Sequence, residues 1–202
     1  MLIASCGTIS TSNPTFMLRS VEHSGHIDTN VQNDRVVLRE ASKTPVDYYS
    51  VRPTVQQIEE VRSTYENNYF NIVWHIDGTR LNFTITNKTS DILRIKWQDA
   101  AFVHIDGFTH RVYHNGLKYA NKSPFSPDMI VPGRARYCDF VLPINNAYWN
   151  GTTYKEVPLI PSRDNISEHV GNKLSVTLPI EAYGYFTFYT FTFELDEYLQ
   201  NK

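Results

Sequence analysis

Residues 70–97 read FNIVWHIDGTRLNFTITNKTSDILRIKW, and three runs within them alternate apolar and polar residues. A repeat of two residues is typical of β-strands that bury one face. The pair Asp77-Gly78 separates the first two runs and suits the positive φ angles of a two-residue hairpin turn. Residues 87–91 connect the second run to the third. The stretch therefore predicts a three-stranded antiparallel meander with one apolar face.

The Asp77-Gly78 turn also predicts a register for these strands. The expected pairs are Ile76 with Thr79, Trp74 with Leu81, Ile72 with Phe83 and Phe70 with Ile85. The third run would then extend the second, with Leu93 against Ile85, Ile95 against Phe83 and Trp97 against Leu81. Because a slip of one residue would turn the apolar set towards water, we expect Trp74 to lie in the core.

Composition favours a β-rich globular protein. The 202 residues are 41% hydrophobic and 13% aromatic, with 13 Tyr and 11 Phe, and aromatic residues are enriched in strands. A chain of this length buries enough surface to fold without a metal or a disulfide. The net charge of −2 supplies no basic excess, which argues against nucleic acid as a partner.

Alternation predicts further strands on both sides of the meander. They are expected at Thr15–Val21, Arg35–Arg39, 135–142, Lys173–Ile180 and Tyr183–Leu195, with a second hairpin in 101–113 around Asp106-Gly107. Aromatic residues occupy both faces of the Tyr183–Leu195 run, which predicts a central strand. Residues 53–62 fit either one short helix or a strand that leads into the meander. The predicted fold is all-β, an antiparallel immunoglobulin-like β-sandwich.

The histidines of the second hairpin are the candidates for a metal site. His104, Asp106, His110 and His114 form a dense group in the sequence. A two-residue turn at Asp106-Gly107 would place His104 and His110 on opposite faces, and His110 and His114 would lie about 13 Å apart along one strand. Such side chains cannot converge on one ion with bonds of about 2 Å. Histidines satisfied within the sheet are favoured over a metal site, and no cofactor is expected.

The sequence contains no phosphate-binding glycine loop, zinc-binding cysteine spacing or Gly-x-Ser-x-Gly turn. No catalytic residue is therefore assigned, and an enzyme is not expected.

The segment Pro143–Asn172 reads as a long loop that carries Tyr148, Trp149 and Tyr154 among polar residues. Exposed aromatic residues on a loop suit contact with a partner. The alternative is that the Trp149 ring folds over the end of the sandwich as a core plug.

The two cysteines lie in different contexts. Cys138 falls in an apparent strand and is expected to be a buried free thiol, with a disulfide to Cys6 as the alternative. Cys6 lies in the segment Met1-Leu2-Ile3-Ala4-Ser5-Cys6-Gly7, which resembles the end of a bacterial lipoprotein signal peptide. That resemblance implies that Cys6 carries the lipid and contacts the bilayer. A charged region and an apolar run of about 7–15 residues normally precede such a site, so either translation starts further upstream, or Met1 begins a shortened chain, or Cys6 is an ordinary residue.

The wider pattern resembles the small β-sandwich lipoproteins of Bacteroidota. The shared features are the Cys6-Gly7 start, the small polar spacer up to Pro14 and the turn Asn87-Lys88-Thr89. The resemblance implies a residual signal peptide in 1–6, a tether with edge strands in 7–50 and the sandwich domain in 51–202. Residues 7–18 contain no acidic residue, which implies an anchor that faces the periplasm.

The function implied is a lipid-anchored envelope protein that serves as a non-catalytic binding or accessory module for an envelope protein or glycan. The alternatives are a structural subunit of a surface fibre built by strand exchange, and a hydrolytic enzyme that acts from loops at one end of the sandwich.

Overall fold

The computed structural model describes residues 15–25, 35–39, 62–76, 78–115, 117, 126–159 and 168–196. Their strands are β1 (Thr15–Gly25), β2 (Arg35–Arg39), β3 (Arg62–Glu66), β4 (Phe70–Ile76), β5 (Leu81–Asn87), β6 (Leu93–Ile95), β7 (Ala101–Val103), β8 (Thr109–His114), β9 (Met129–Val131), β10 (Arg136–Pro143), β11 (Ala147–Trp149), β12 (Tyr154–Glu156), β13 (Lys173–Ala182) and β14 (Tyr185–Asp196). Short 3₁₀ turns lie at Trp97–Asp99 and Ile144–Asn146. The all-β prediction is confirmed. The helix considered for residues 53–62 falls, up to residue 61, outside the described residues, as do Cys6 and, within the segment 7–50, all residues except 15–25 and 35–39.

Of the described strands, twelve form one antiparallel sheet in the order β1-β14-β13-β7-β8-β10-β5-β4-β3-β2, with β6 attached to β13 and β9 attached to β6. Strand β8 joins the two halves, because it pairs with β7 on one side and with β10 on the other. The halves pack through their inner faces, where the ring centroid of Trp74 lies 5.0 Å from that of Phe191. The far ends also meet, since the Leu18 backbone N–H donates to Ser63 Oγ at 3.2 Å.

The predicted apolar face of the β4–β5 pair is confirmed. Its buried residues are Phe70, Ile72, Trp74, Leu81, Phe83 and Ile85. Each fully buried side chain of this size contributes about 1.5–3 kcal/mol by leaving water. Alternation along these two strands therefore identifies a large part of the core.

The register predicted for β4 and β5 is wrong by two residues. Trp74 pairs with Phe83 instead of Leu81, so the connection spans residues 77–80. Contacts with a distant segment hold this connection open, because both Thr79 and Arg80 bond to Glu156. An even shift keeps the same face inward, which is why the core assignment holds although the pairs differ.

The third run of the predicted meander does not pair with β5. Strand β6 lies between β13 and β9, and β10 takes the place beside β5. The buried amide of Asn87 directs the chain away at this point. Its Nδ2 donates to the carbonyl oxygens of Asp91, Val131 and Pro132 at 2.8, 3.0 and 3.1 Å, and its Oδ1 accepts from the Thr89 N–H and hydroxyl. These bonds fix a connection that crosses to the other half of the sheet.

The other predicted strands are confirmed within a few residues of their expected bounds, as β1, β2, β10, β13 and β14. Strand β14 lies between β1 and β13, which confirms the central strand.

The thiol of Cys138 is free, but it is exposed and not buried as expected. Cys138 lies between Tyr137 and Asp139 on β10 and pairs with Thr84 of the outer face, so the alternation of the strand itself turns the thiol outward. In the described residues, no helix is long and apolar enough to span a membrane.

Candidate functional site

The aromatic group predicted on a long loop lies on a β-hairpin. Strands β11 and β12 form a two-stranded sheet of their own. Trp149 is the register partner of Tyr154, and Tyr148 is the partner of Lys155. The prediction of an irregular loop over Pro143–Asn172 is therefore wrong for residues 144–156, because local pairing organises them.

The tip of this hairpin is ordered by its own side chains. Asn150 Oδ1 accepts hydrogen bonds from the backbone N–H groups of Thr152 and Thr153 at 3.0 and 2.9 Å. The Asn150 N–H donates to the Thr153 carbonyl oxygen at 3.1 Å, and Gly151 supplies the positive φ of 97°. Asn and Gly are suited to these two roles in turns, so the tip has a defined shape without a partner.

The base of the hairpin is fixed to the main sheet by Glu156. Its Oε1 lies 2.9 Å from Arg80 Nη2, its Oε2 accepts from Arg80 Nε at 3.1 Å, and Thr79 Oγ1 also donates to Oε2 at 3.1 Å. The Arg80 guanidinium lies 4.4 Å from the centroid of the Phe140 ring. Two-pronged Arg–carboxylate pairs of this kind are strong and directional. The hairpin therefore projects from a rigid attachment.

The two described aromatic side chains of the hairpin face solvent. Tyr148 is 46% exposed and Trp149 is 54% exposed. Neighbouring residues on a strand point to opposite faces, so both faces of the ribbon present an aromatic ring. The exposure of Trp149 does not fit the core-plug alternative.

The histidines of the β7–β8 hairpin are closer than predicted. The connection is five residues, 104–108, since Val103 pairs with Thr109, and the ring centroids of His104 and His110 lie 6.2 Å apart. Their predicted placement on opposite faces is wrong. Burial lowers the pKa of His104 and nearby His110 lowers it further, while Asp106 opposes both effects. No group of three or more His, Cys, Asp or Glu side chains in the described residues is placed to hold a metal ion.

His114 takes part in a buried network that sequence reasoning missed. Its Nε2 lies 2.6 Å from Ser126 Oγ and its Nδ1 lies 3.3 Å from Asp139 Oδ2. The imidazole stacks on the Trp97 ring, with centroids 4.1 Å apart and planes at 10°. All three polar residues are buried. We call Ser126, His114 and Asp139 the buried triad.

Hydrogen bonds keep the Asp139 carboxylate ionised. Burial alone would raise the pKa of Asp139, but bonds from His114, the Tyr137 hydroxyl and the N–H groups of Asn115 and Phe140 outweigh it and lower the pKa. An ionised carboxylate only accepts hydrogen bonds, so His114 Nδ1 carries a proton. In the neutral imidazole Nε2 is then an acceptor, and the Ser126 hydroxyl donates to it.

The buried triad lacks a local sequence signature. Ser126 and Asp139 are 12 and 25 residues from His114 and lie in separate segments. The available signal is position, since His114 follows Val112 on the inward face of β8, whereas His114 was considered from sequence only as a candidate metal ligand. The chain matches no protein-family model, no curated protein and no solved structure. Functional arguments therefore rest on the geometry and the sequence.

Proposed function

We propose that the protein is a lipid-anchored binding or accessory module of the bacterial envelope whose hairpin β11–β12 contacts an envelope protein or a glycan without catalysis. The observation that carries this proposal is the exposure of Tyr148 and Trp149 on a hairpin fixed by Glu156. The Cys6 motif supports an anchor, and the absence of acidic residues in 7–18 supports the periplasmic side.

Exposure and rigidity together favour binding. Aromatic rings dominate the energy of many interfaces, and one ring in a desolvated pocket contributes about 2 kcal/mol or more. A hairpin already ordered at its tip and base loses little conformational entropy on association, which preserves more of that energy as affinity. Phe108 is also exposed on an ordered hairpin, but β11–β12 presents two exposed rings and is joined to the main sheet by the Arg80–Glu156 pair.

Photo-crosslinking from the hairpin tests the proposal. A photoreactive phenylalanine would replace Trp149 in one variant and, as a control, Tyr183 in another, because Tyr183 is 49% exposed in the β13–β14 turn. Each variant would be expressed in the natural host and the cells irradiated. A discrete adduct should form from position 149 and not from position 183. Equal adducts from both positions, or none from position 149, would count against a hairpin contact.

The anchor has its own test. Wild-type protein produced from the full gene in its natural host should partition into detergent, and Cys6→Ala should move it to the soluble fraction, because two or three acyl chains hold a protein firmly in a bilayer. Unchanged detergent partitioning of Cys6→Ala would remove lipidation of Cys6 from the proposal.

A fibre subunit is the second candidate, and strand β1 favours it. This strand ends the sheet order and pairs along its length with β14, where it buries Phe16 and Leu18. A terminal strand with core side chains is the kind of element that copies of a chain exchange. Electron microscopy of concentrated protein should show filaments under this candidate, whereas a strictly monomeric protein would exclude it.

A further inference from the structure

The buried triad lies apart from the hairpin and has the geometry of an activated nucleophile. We propose that Ser126 is a nucleophile activated by His114 and Asp139, which accepts small acyl groups from esters. Ser126 Oγ is 2.6 Å from the imidazole Nε2, and Asp139 holds the opposite ring nitrogen at 3.3 Å. A hydroxyl, a base in hydrogen-bond reach and a third group that orients the base define this arrangement whatever the fold.

The protonation state of the triad suits this role. The carboxylate of Asp139 is held ionised by the bonds described above, which fixes the proton of His114 on Nδ1. Nε2 then accepts the hydrogen bond of the Ser126 hydroxyl and is positioned to take its proton. The two ring-nitrogen contacts and stacking on Trp97, with ring centroids 4.1 Å apart, favour this orientation of the imidazole.

The Trp97 ring that stacks on His114 carries a buried indole N–H. This N–H has no acceptor among the described residues. Buried donors are nearly always satisfied, so an unpaired one beside a candidate base calls for an explanation. A donor that meets the oxygen of an attacked carbonyl stabilises the charge that develops there.

The reaction is a two-step acyl transfer. Ser126 Oγ forms a bond to the carbonyl carbon of an ester while its proton passes to His114 Nε2. The bond to the leaving alcohol then breaks, and that alcohol receives the proton from His114. Water releases the acyl group by the same sequence, giving a carboxylic acid and restoring Ser126.

Burial limits the substrates to small groups. Ser126 is 3% exposed, so a bulky ester does not reach Oγ in the described conformation. We therefore restrict the proposed substrates to short acyl chains, of which an acetyl ester is the simplest.

A small fluorophosphonate tests the nucleophile directly on the folded full-length protein. Attack by Ser126 forms an O–P bond and expels fluoride, while His114 takes the hydroxyl proton. Intact-mass spectrometry should show one adduct per chain, and peptide mapping should place it on Ser126. The control variant Ser24→Ala, at an exposed serine of β1, should label like wild type, whereas Ser126→Ala should not label.

Activation by the imidazole is tested separately. General-base catalysis contributes roughly 10²–10⁴-fold, so His114→Gln should label at least about 100-fold more slowly, and wild-type protein unfolded in urea should not label. Folded wild-type protein that stays unlabelled while a known serine esterase reacts would overturn the proposal, as would an adduct that survives Ser126→Ala. These results do not depend on the hairpin, because crosslinking from position 149 reports on a different surface.

Discussion

Trp74 is the residue on which the two halves of the sheet converge. Its ring centroid lies 5.1 Å from Phe83 of its own half and 5.4 Å from Phe193 of the other. We expect Trp74→Ala to lower the free energy of unfolding by about 3–5 kcal/mol, since it leaves a cavity that the core cannot refill. Thr84→Ala, on the outer face of β5, should cost less than about 1 kcal/mol. Urea unfolding measures both, and equal losses would contradict the packing described here.

Asp139 should make stability depend on acid pH. Its pKa is lowered in the folded protein, and an unfolded Asp has a pKa of about 3.9. The ionised carboxylate therefore contributes stability that is fully present above the unfolded pKa and is lost as the pH falls through the folded value. The stability difference between wild type and Asp139→Asn should shrink below about pH 4. Urea unfolding at several pH values measures that difference, and a difference that stays constant down to pH 2 would refute this role.

Alternation predicts which residues of a strand are buried, but it does not say which polar residues meet across strands. Trp74 and Leu81 follow from the two-residue period and are buried as predicted. His114 and Ser126 could not be paired, because their contact depends on how a long connection returns to β8. Cys138 was expected to be buried because cysteine is often buried. Its exposure is decided instead by its position in the alternation of β10.

At the level of elements, the Arg80–Glu156 pair is expected to hold hairpin β11–β12 in place. Arg80→Met keeps much of the side-chain stem and removes the two bonds to the carboxylate, so the largely buried Glu156 loses its positive partner and keeps the bond from Thr79. Amide hydrogen exchange in residues 147–157 should become faster. The matched control is Lys173→Met, because Lys173 pairs with Glu194 at 3.7 Å and is 60% exposed, and exposed pairs contribute only about 0–1 kcal/mol.

The contrast between these two variants is decisive for the hairpin. Faster exchange confined to residues 147–157 in Arg80→Met, and absent in Lys173→Met, would support the anchoring role. Unchanged exchange in both variants would mean that other contacts hold the hairpin.

The same pair explains why element boundaries were easier to predict than register. Asp77-Gly78 is a good turn sequence, and Gly78 does have the positive φ of 85°. The connection is nevertheless longer, because Arg80 reaches Glu156, 76 residues away. No local rule contains that contact, so the existence of the hairpin was predictable and its pairing was not.

For the whole molecule, the sequence predicted the all-β class and most strands but not the order of the sheet. Strand β6 was expected beside β5 because the two are neighbours in the chain. Asn87 and the segment around Val131 instead carry β6 to β13. The choice between such arrangements depends on the packing of distant strands, which the alternation of one segment does not encode.

The central claim for the molecule is that hairpin β11–β12 is a contact surface outside the core. Its exposed Tyr148 and Trp149 contrast with Trp74, which lies between the halves of the sheet. A core residue of this size would show itself in thermal stability, because about 1 kcal/mol shifts the melting temperature of a domain of this length by about 2–4 °C.

The most direct measurement combines the melting temperature of Trp149→Ala with affinity purification of the species that the photoreactive variant at position 149 identifies. We predict a melting temperature within about 2 °C of wild type, corresponding to less than about 1 kcal/mol, together with loss of that species on affinity purification. A fall of several degrees, or undiminished recovery of the species, would contradict the account.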